Sequence, residues 1–230
     1  FFISGFVFIG NAQGSLCSEV EPFCAGGNAL VFPNSHPGIP GASNSAEPGI
    51  DYNCGTGGGP NNPAGWPYPS WYYLKIDSEG DLNFSISQSL NPDGSGPAFD
   101  VDFIAWGPFT DENVSCDVDL SNSNKIDCSW LPSSTEFMEI PGAQAGDVYI
   151  VMITNFSEQP GFITLQQTNS SNPSAGSTDC SIVNSIDLCD NENARLDATS
   201  PGAVTYEWFR DGMLLAETGP MLNSVIAPSA

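Results

Sequence analysis

Turn residues interrupt this chain so often that long helices have nowhere to form. Its 24 glycines and 19 prolines, with many Ser, Asn and Thr, cut the apolar residues into short runs. No amphipathic helical pattern exceeds two turns. Hydrophobic residues still make up 40% of the 230, enough apolar surface for one full core and part of another. An all-β class reconciles the two observations.

Six runs predict strands, at 71–76, 81–87, 100–106, 136–140, 147–155 and 161–167, separated by turns such as "DSEGD", "NPDGSG", "PGAQAGD" and "SEQPG". The run "DVYIVMITN" is apolar on both faces, which marks a central strand of two packed sheets. A β-sandwich or jelly roll is therefore expected. One short apolar piece, 29–32, lies in the loop-rich stretch between Cys17 and Cys54. At 168–180 apolar periodicity stops, and the segment reads as a linker or crossover. Beyond it Leu196 and Ala198, then Val204, Tyr206 and Trp208, alternate about the turn "TSPGA" as a second, separate hairpin.

Charge is lopsided. Four basic residues, Lys75, Lys125, Arg195 and Arg210, stand against 27 acidic ones, for a net charge of -23. Binding nucleic acid through phosphate neutralisation is excluded as a function class, and a saline, divalent-rich medium would ease the self-repulsion. The opening "FFISGFVFIGNAQG" combines an apolar run with small residues near Ala12, the pattern of the end of a secretory signal peptide. A first strand of the fold is the alternative. No later stretch is long and apolar enough to span a membrane.

Seven cysteines in an exported chain point to disulfides formed in an oxidising compartment. No CxxC occurs and His36 is the single histidine, so no zinc pattern is present. Cys116 and Cys128 bracket the polar "DVDLSNSNKID" and are expected to staple it as a surface loop, a closure of about 3 kcal/mol in the chain-entropy view. Cys24 with Cys54 and Cys17 with Cys180 would then tie the domain ends together, one of several connectivities the spacing allows. Cys189 is left over, with a partner expected beyond the last residue.

The ordered set "PFC", "WYYLKI", "DLNFSIS", "DVDFIAWGPF", "CSW", "MEIPGAQAGDVYIVMITNFS", "GFITL" and "STDC" resembles the CUB-like or jelly-roll N-terminal module of large surface proteins of gliding bacteria. Those proteins are exported by the type IX secretion pathway and described as adhesins or motility-associated proteins. The segment "YEWFRDG" is similar to the Ig-like or PKD-like repeats that follow that module. The resemblance implies a signal-peptide remnant at 1–12, a disulfide-stapled CUB-like β-sandwich at 13–180 and a truncated Ig-like domain at 181–230, about fifty residues against the roughly 100 of a complete one. It also implies a secreted, non-catalytic binding role at the cell surface, with a surface glycan or other extracellular ligand as partner.

Candidate sites follow from alternation. Asp100 and Asp102 share a strand face with Ile104 and Trp106, Asp111 follows the turn "GPFT", and Glu136 opens a neighbouring strand. Hard oxygen ligands at strand ends suit calcium, and CUB modules commonly carry such a site. Any affinity falls in the extracellular range of about 10⁻⁴ to 10⁻³ M, and solvated charge is the alternative. In the aromatic run "GWPYPSWYYL", Trp71 and Tyr73 are expected in the core. Trp66 and Tyr68, in a Pro/Gly loop, are the candidates for stacking on a sugar. Trp106 and Trp130 are expected to pack under the stapled loop. Enzyme readings lack motifs: His36 has no nucleophile nearby in sequence, and neither GxSxG nor a P-loop is present. A carboxylate-pair glycosidase using Asp102 and Glu136 is the one catalytic alternative. The sequons at Asn83, Asn113, Asn155 and Asn169 arise easily by chance in so Asn/Ser-rich a chain.

Overall fold

The computed structural model describes residues 14–24, 29–39, 41–54 and 60–182, and the backbone of 193–197, 209–210, 213–214, 219 and 221–226. The chain divides into two compact units, the larger being Ala12–Val183. The signal-peptide expectation at 1–12, Cys189 and the strand expected at 204–208 lie outside the described residues.

In the larger unit the strands are β1 (Glu21–Phe23), β2 (Leu30–Pro33), β3 (Pro69–Ser78), β4 (Gly80–Ser89), β5 (Val101–Phe109), β6 (Lys125–Ser129), β7 (Thr135–Ala143), β8 (Val148–Asn155), β9 (Phe162–Gln167) and β10 (Ser177–Thr178). One sheet runs β1-β3-β8-β5-β6, with β10 also on β3, and the other runs β2-β9-β4-β7. The fold is an all-β sandwich stapled by disulfides. All six expected strands are present.

Alternation explains the outer sheet. On β4, Leu82, Phe84 and Ile86 turn inward while Asn83, Ser85 and Ser87 do not, and on β7 Met138 and Ile140 are buried while Thr135, Phe137 and Glu139 are exposed. They meet Leu74, Ile76, Val101, Phe103, Ala105, Val151 and Ile153 of the facing sheet in one apolar core. Every residue of β8 is buried, because its other face is covered as well. There Trp71, Ile104, Trp106, Ile150 and Met152 pack against Ala46, Ile50, Tyr52, Trp66 and Leu120 from loops. Trp71 and Trp106 stack at 5.9 Å. The larger unit thus has three layers: sheet, sheet and a stapled loop layer. At about 25 cal/mol per Å², each buried indole contributes several kcal/mol.

The disulfides correct the expected connectivity. They join Cys17 to Cys116, Cys24 to Cys180 and Cys54 to Cys128, and none of the pairs Cys116–Cys128, Cys24–Cys54 and Cys17–Cys180 forms. Cys116 and Cys128 each bond the N-terminal loop instead of each other, which clamps that loop over the sheet. Sequence proximity misled because the segment between them is not a free loop: it holds the short helix α1 (Cys116–Asp119) and then β6, hydrogen-bonded to β5. Cys24–Cys180 ties the strands β1 and β10, which share one edge of β3.

Of the two readings of segment 168–180, the crossover holds and the linker does not: it leads from β9 in one sheet to β10 on the other. Asn169 donates to Asp81 O, Gly176 N donates to Asp81 O, and β10 pairs with β3. In the smaller unit β11 (Asn193–Asp197) pairs antiparallel with β14 (Met221–Ile226), and β12 (Phe209–Arg210) with β13 (Met213–Leu214). The partner of β11 is therefore β14, not the strand expected at 204–208.

Candidate functional site

Antiparallel register builds one end of the first sheet. Val101 lies opposite Asn155, Asp102 opposite Thr154 and Phe103 opposite Ser129, so the start of β5 meets the ends of β8 and β6. The residues that follow those ends, Trp130, Leu131, Pro132 and Phe156, surround Asp100 and Asp102 in a cavity of about 190 Å³. Trp130 and Phe156 meet edge to face at 5.9 Å and 88°. Leu131 and Phe156 are 55% and 40% exposed, an apolar rim around an acidic floor.

A buried amide network fixes this end. Gln88 Nε2 donates to Asn155 Oδ1 at 2.8 Å, joining β4 to β8 across the sandwich. Asn155 Nδ2 donates to Ser35 O and Gln159 O, and Asn34 Nδ2 donates to Gln159 O. The Asn155 sequon is thus buried with its amide committed. Asp100 is held by two more bonds: its N–H donates to Ser157 Oγ, and its Oδ1 accepts from Ser133 N at 2.9 Å.

Asp102 is 2% exposed, and among the described residues its carboxyl accepts no hydrogen bond. Burial, then the charges of Asp100 and Glu136, push it up to about 8. Asp100 and Glu136 are raised too, chiefly by burial. Glu136 sits on the inward row of β7, and its buried Oε1 has no partner.

The expected calcium set therefore comes only partly together. Asp100, Asp102 and Glu136 lie within electrostatic reach of one another. Asp111 does not belong: β5 continues through a bulge to Phe109, which puts Asp111 beyond the opposite end of the strand, about 25–30 Å from Asp102. The bulge falls at Gly107, whose φ of +149° and 2.5 Å approach of a Cβ to Tyr149 exclude other residues. Among the described residues no three His, Cys, Asp or Glu side chains gather to hold a metal. Calcium takes six to eight oxygens, whereas this cavity offers two carboxylates and otherwise carbon walls. The donor set does not fit calcium.

The aromatic expectations are also corrected. Trp66 is 0% exposed, its Nε1 donating to Pro60 O at 2.9 Å, and it packs near Tyr52. It is loop-layer core and offers no face to a sugar. Tyr68 is half-buried at φ 46°, so the two form no exposed pair. Trp71 and Trp106 are core, and Tyr73 is half-buried against it. Trp130 packs against the loop layer, although the Cys116–Cys128 staple it was expected to lie under does not form, and it also lines the cavity. Leu131, Pro132 and Phe156 were not marked by the sequence. The dipeptide "NF" after an apolar run, where a ring follows a strand end, was the one signal for Phe156.

No helix among the described residues is long and apolar enough to cross a membrane, and three disulfides mark a chain folded in an oxidising environment. No family model matches the chain, and no curated protein matches it. Among solved structures it is similar to the pre-peptidase C-terminal domain of collagenase from Bacillus anthracis, at 12% identity and a TM-score of 0.31, over 64% of this chain and 94% of that one. The chain is a disulfide-stapled all-β sandwich with a two-carboxylate, aromatic-walled pocket at one end of its larger sheet.

Proposed function

We propose that the chain is a secreted, non-catalytic adhesion module of a large cell-surface protein, and that it holds an extracellular ligand, a surface glycan in the first instance, at the pocket of Asp100, Asp102, Trp130 and Phe156. The carrying observation is the exposed apolar rim of Leu131 and Phe156 around one buried carboxylate, Asp102, and one half-buried, Asp100, a concave mixed site on a rigid mount. Export by the type IX pathway and a place among gliding-associated surface proteins belong to the same proposal, resting on the motif resemblance. Catalysis finds less support: Asp102 lines this cavity and Glu136 is not among its lining residues, whereas a glycosidase needs both carboxyls on one cleft. The His36 ring meets its neighbour's carbonyl, Pro37 O, through Nδ1.

The test is adhesion. Beads coated with the full chain should adhere to immobilised cell-surface polysaccharide or whole cells, and Leu131→Asp with Phe156→Asp should abolish adhesion while a cooperative unfolding transition shows the fold retained. Adhesion unaffected by the double variant would place the binding surface elsewhere.

A further inference from the structure

We propose that this pocket takes an organic ammonium group, with Asp100 and Asp102 as its counter-charge and Trp130 and Phe156 as its walls. The inference rests on the binding role proposed above and names the chemistry of the ligand.

Among the described residues of the larger unit, the acidic floor has no lysine beside it. Of the two lysines in the larger unit, Lys125 is held by Asp51 at 3.1 Å and by Asn53 O. Lys75 lies opposite Val148 on β8, six positions from the Thr154 that faces Asp102, about 20 Å along the strand. Asp100 spends one oxygen on Ser133 N, and Asp102, almost wholly buried, accepts nothing among the described residues. The unmet acceptors therefore open into the cavity. Neither lysine of the larger unit supplies the positive partner.

The walls decide which cation. A hard metal ion requires oxygens on all sides, and Leu131, Pro132 and the two rings supply carbon. Carbon-bearing ammonium groups suit such walls, since aromatic rings attract cations and the alkyl substituents lose apolar surface to them. A cavity of about 190 Å³ is small for a drug-sized ligand and of a size for one headgroup. At long range the net charge of -23 concentrates cations at the surface.

Proton linkage gives a second readout. The carboxyl of Asp102 faces Asp100 from its own strand and Glu136 from β7, while Asp127 of β6 acts on Glu136, and every one of these groups is raised. Near pH 7 Asp102 thus carries a proton where the cation would sit. Ammonium binding displaces that proton, so affinity rises as pH passes through about 8.

Titration calorimetry on the full chain, with choline as the probe and 3,3-dimethylbutan-1-ol as its uncharged isostere, tests the inference. Choline should saturate one site and the isostere should not bind. Asp102→Asn, which keeps the side-chain volume, and Phe156→Leu, at a half-exposed position, should each weaken choline by about tenfold. Binding should be tighter at pH 8.5 than at pH 6. A parallel arm distinguishes sources: glucosamine binding without N-acetylglucosamine binding supports a cation carried on a glycan, and choline binding alone supports one carried elsewhere. Equal binding of choline and its isostere, binding of neither, or calcium chloride displacing choline competitively at the same site would overturn the proposal. Failure here with bead adhesion intact leaves the adhesion reading standing, whereas loss of both removes the two together.

Discussion

At the scale of residues, Asp102 is where folding and ionisation conflict. Its folded value of about 8 stands above the ordinary carboxylate value of 3.8, so between those two pH values the folded chain keeps a proton that the unfolded chain has lost. Stability must then fall as pH rises through this window and level off above pH 8. Asp100, Glu136 and Asp127 shift the same way and add to the slope. A tenfold change in proton affinity corresponds to about 1.4 kcal/mol, which makes Asp102 worth several kcal/mol at most. Urea unfolding at pH 5 and pH 8.5 should show the loss, and Asp102→Asn should flatten much of it; an unchanged slope in the variant would assign the effect to the other carboxyls. The floor of this pocket was legible in the sequence, because strict alternation put Asp100 and Asp102 on one strand face. Its walls were not, since Trp130 and Phe156 reach the site only through the register of β6 and β8 against β5, a non-local fact.

At the scale of elements, the loop layer does the work of a third sheet. Strands β5 and β8 could be buried on both faces only because Tyr52, Trp66 and Leu120 cover the outer one. The two-faced apolar run of β8 announced a central strand; it did not announce that irregular chain, rather than another sheet, would cover it. Strand β6 was hidden for a related reason, as "KIDCS" is short, polar and only half-buried, and it is recruited by pairing with β5. Disulfide connectivity is a tertiary property, so the nearest cysteines were the wrong partners. Two measurements bear on this layer. Trp66→Ala should cost about 3–5 kcal/mol in urea unfolding, a loss inconsistent with a rim residue. Replacing Cys54 and Cys128 by Ala opens a closure of 74 residues, about 4 kcal/mol in the chain-entropy view. Peptide mapping of the oxidised chain should return Cys17–Cys116, Cys24–Cys180 and Cys54–Cys128.

At the scale of the whole molecule, charge is the dominant feature. A net charge of -23 with four basic residues gives far fewer cations than carboxylates, and among the described residues the ion pair is Lys125 with Asp51. Repulsion among these charges is strongest in the folded state, where they are held closest, and the Debye length shortens from about 30 Å at 0.01 M salt to 3 Å at 1 M. Raising sodium chloride from 0.02 to 0.5 M, each taken as an approximate working level, should therefore raise the unfolding midpoint. Divalent ions should raise it further at equal concentration, by screening alone. Because among the described residues the carboxylates form no oxygen cage, calcium and magnesium should act alike, with no saturable step and no dependence on Asp102. A calcium-specific, saturable rise abolished by Asp102→Asn would instead show that the pocket completes a coordination shell, and it would replace the ammonium site with a metal site at the same two aspartates.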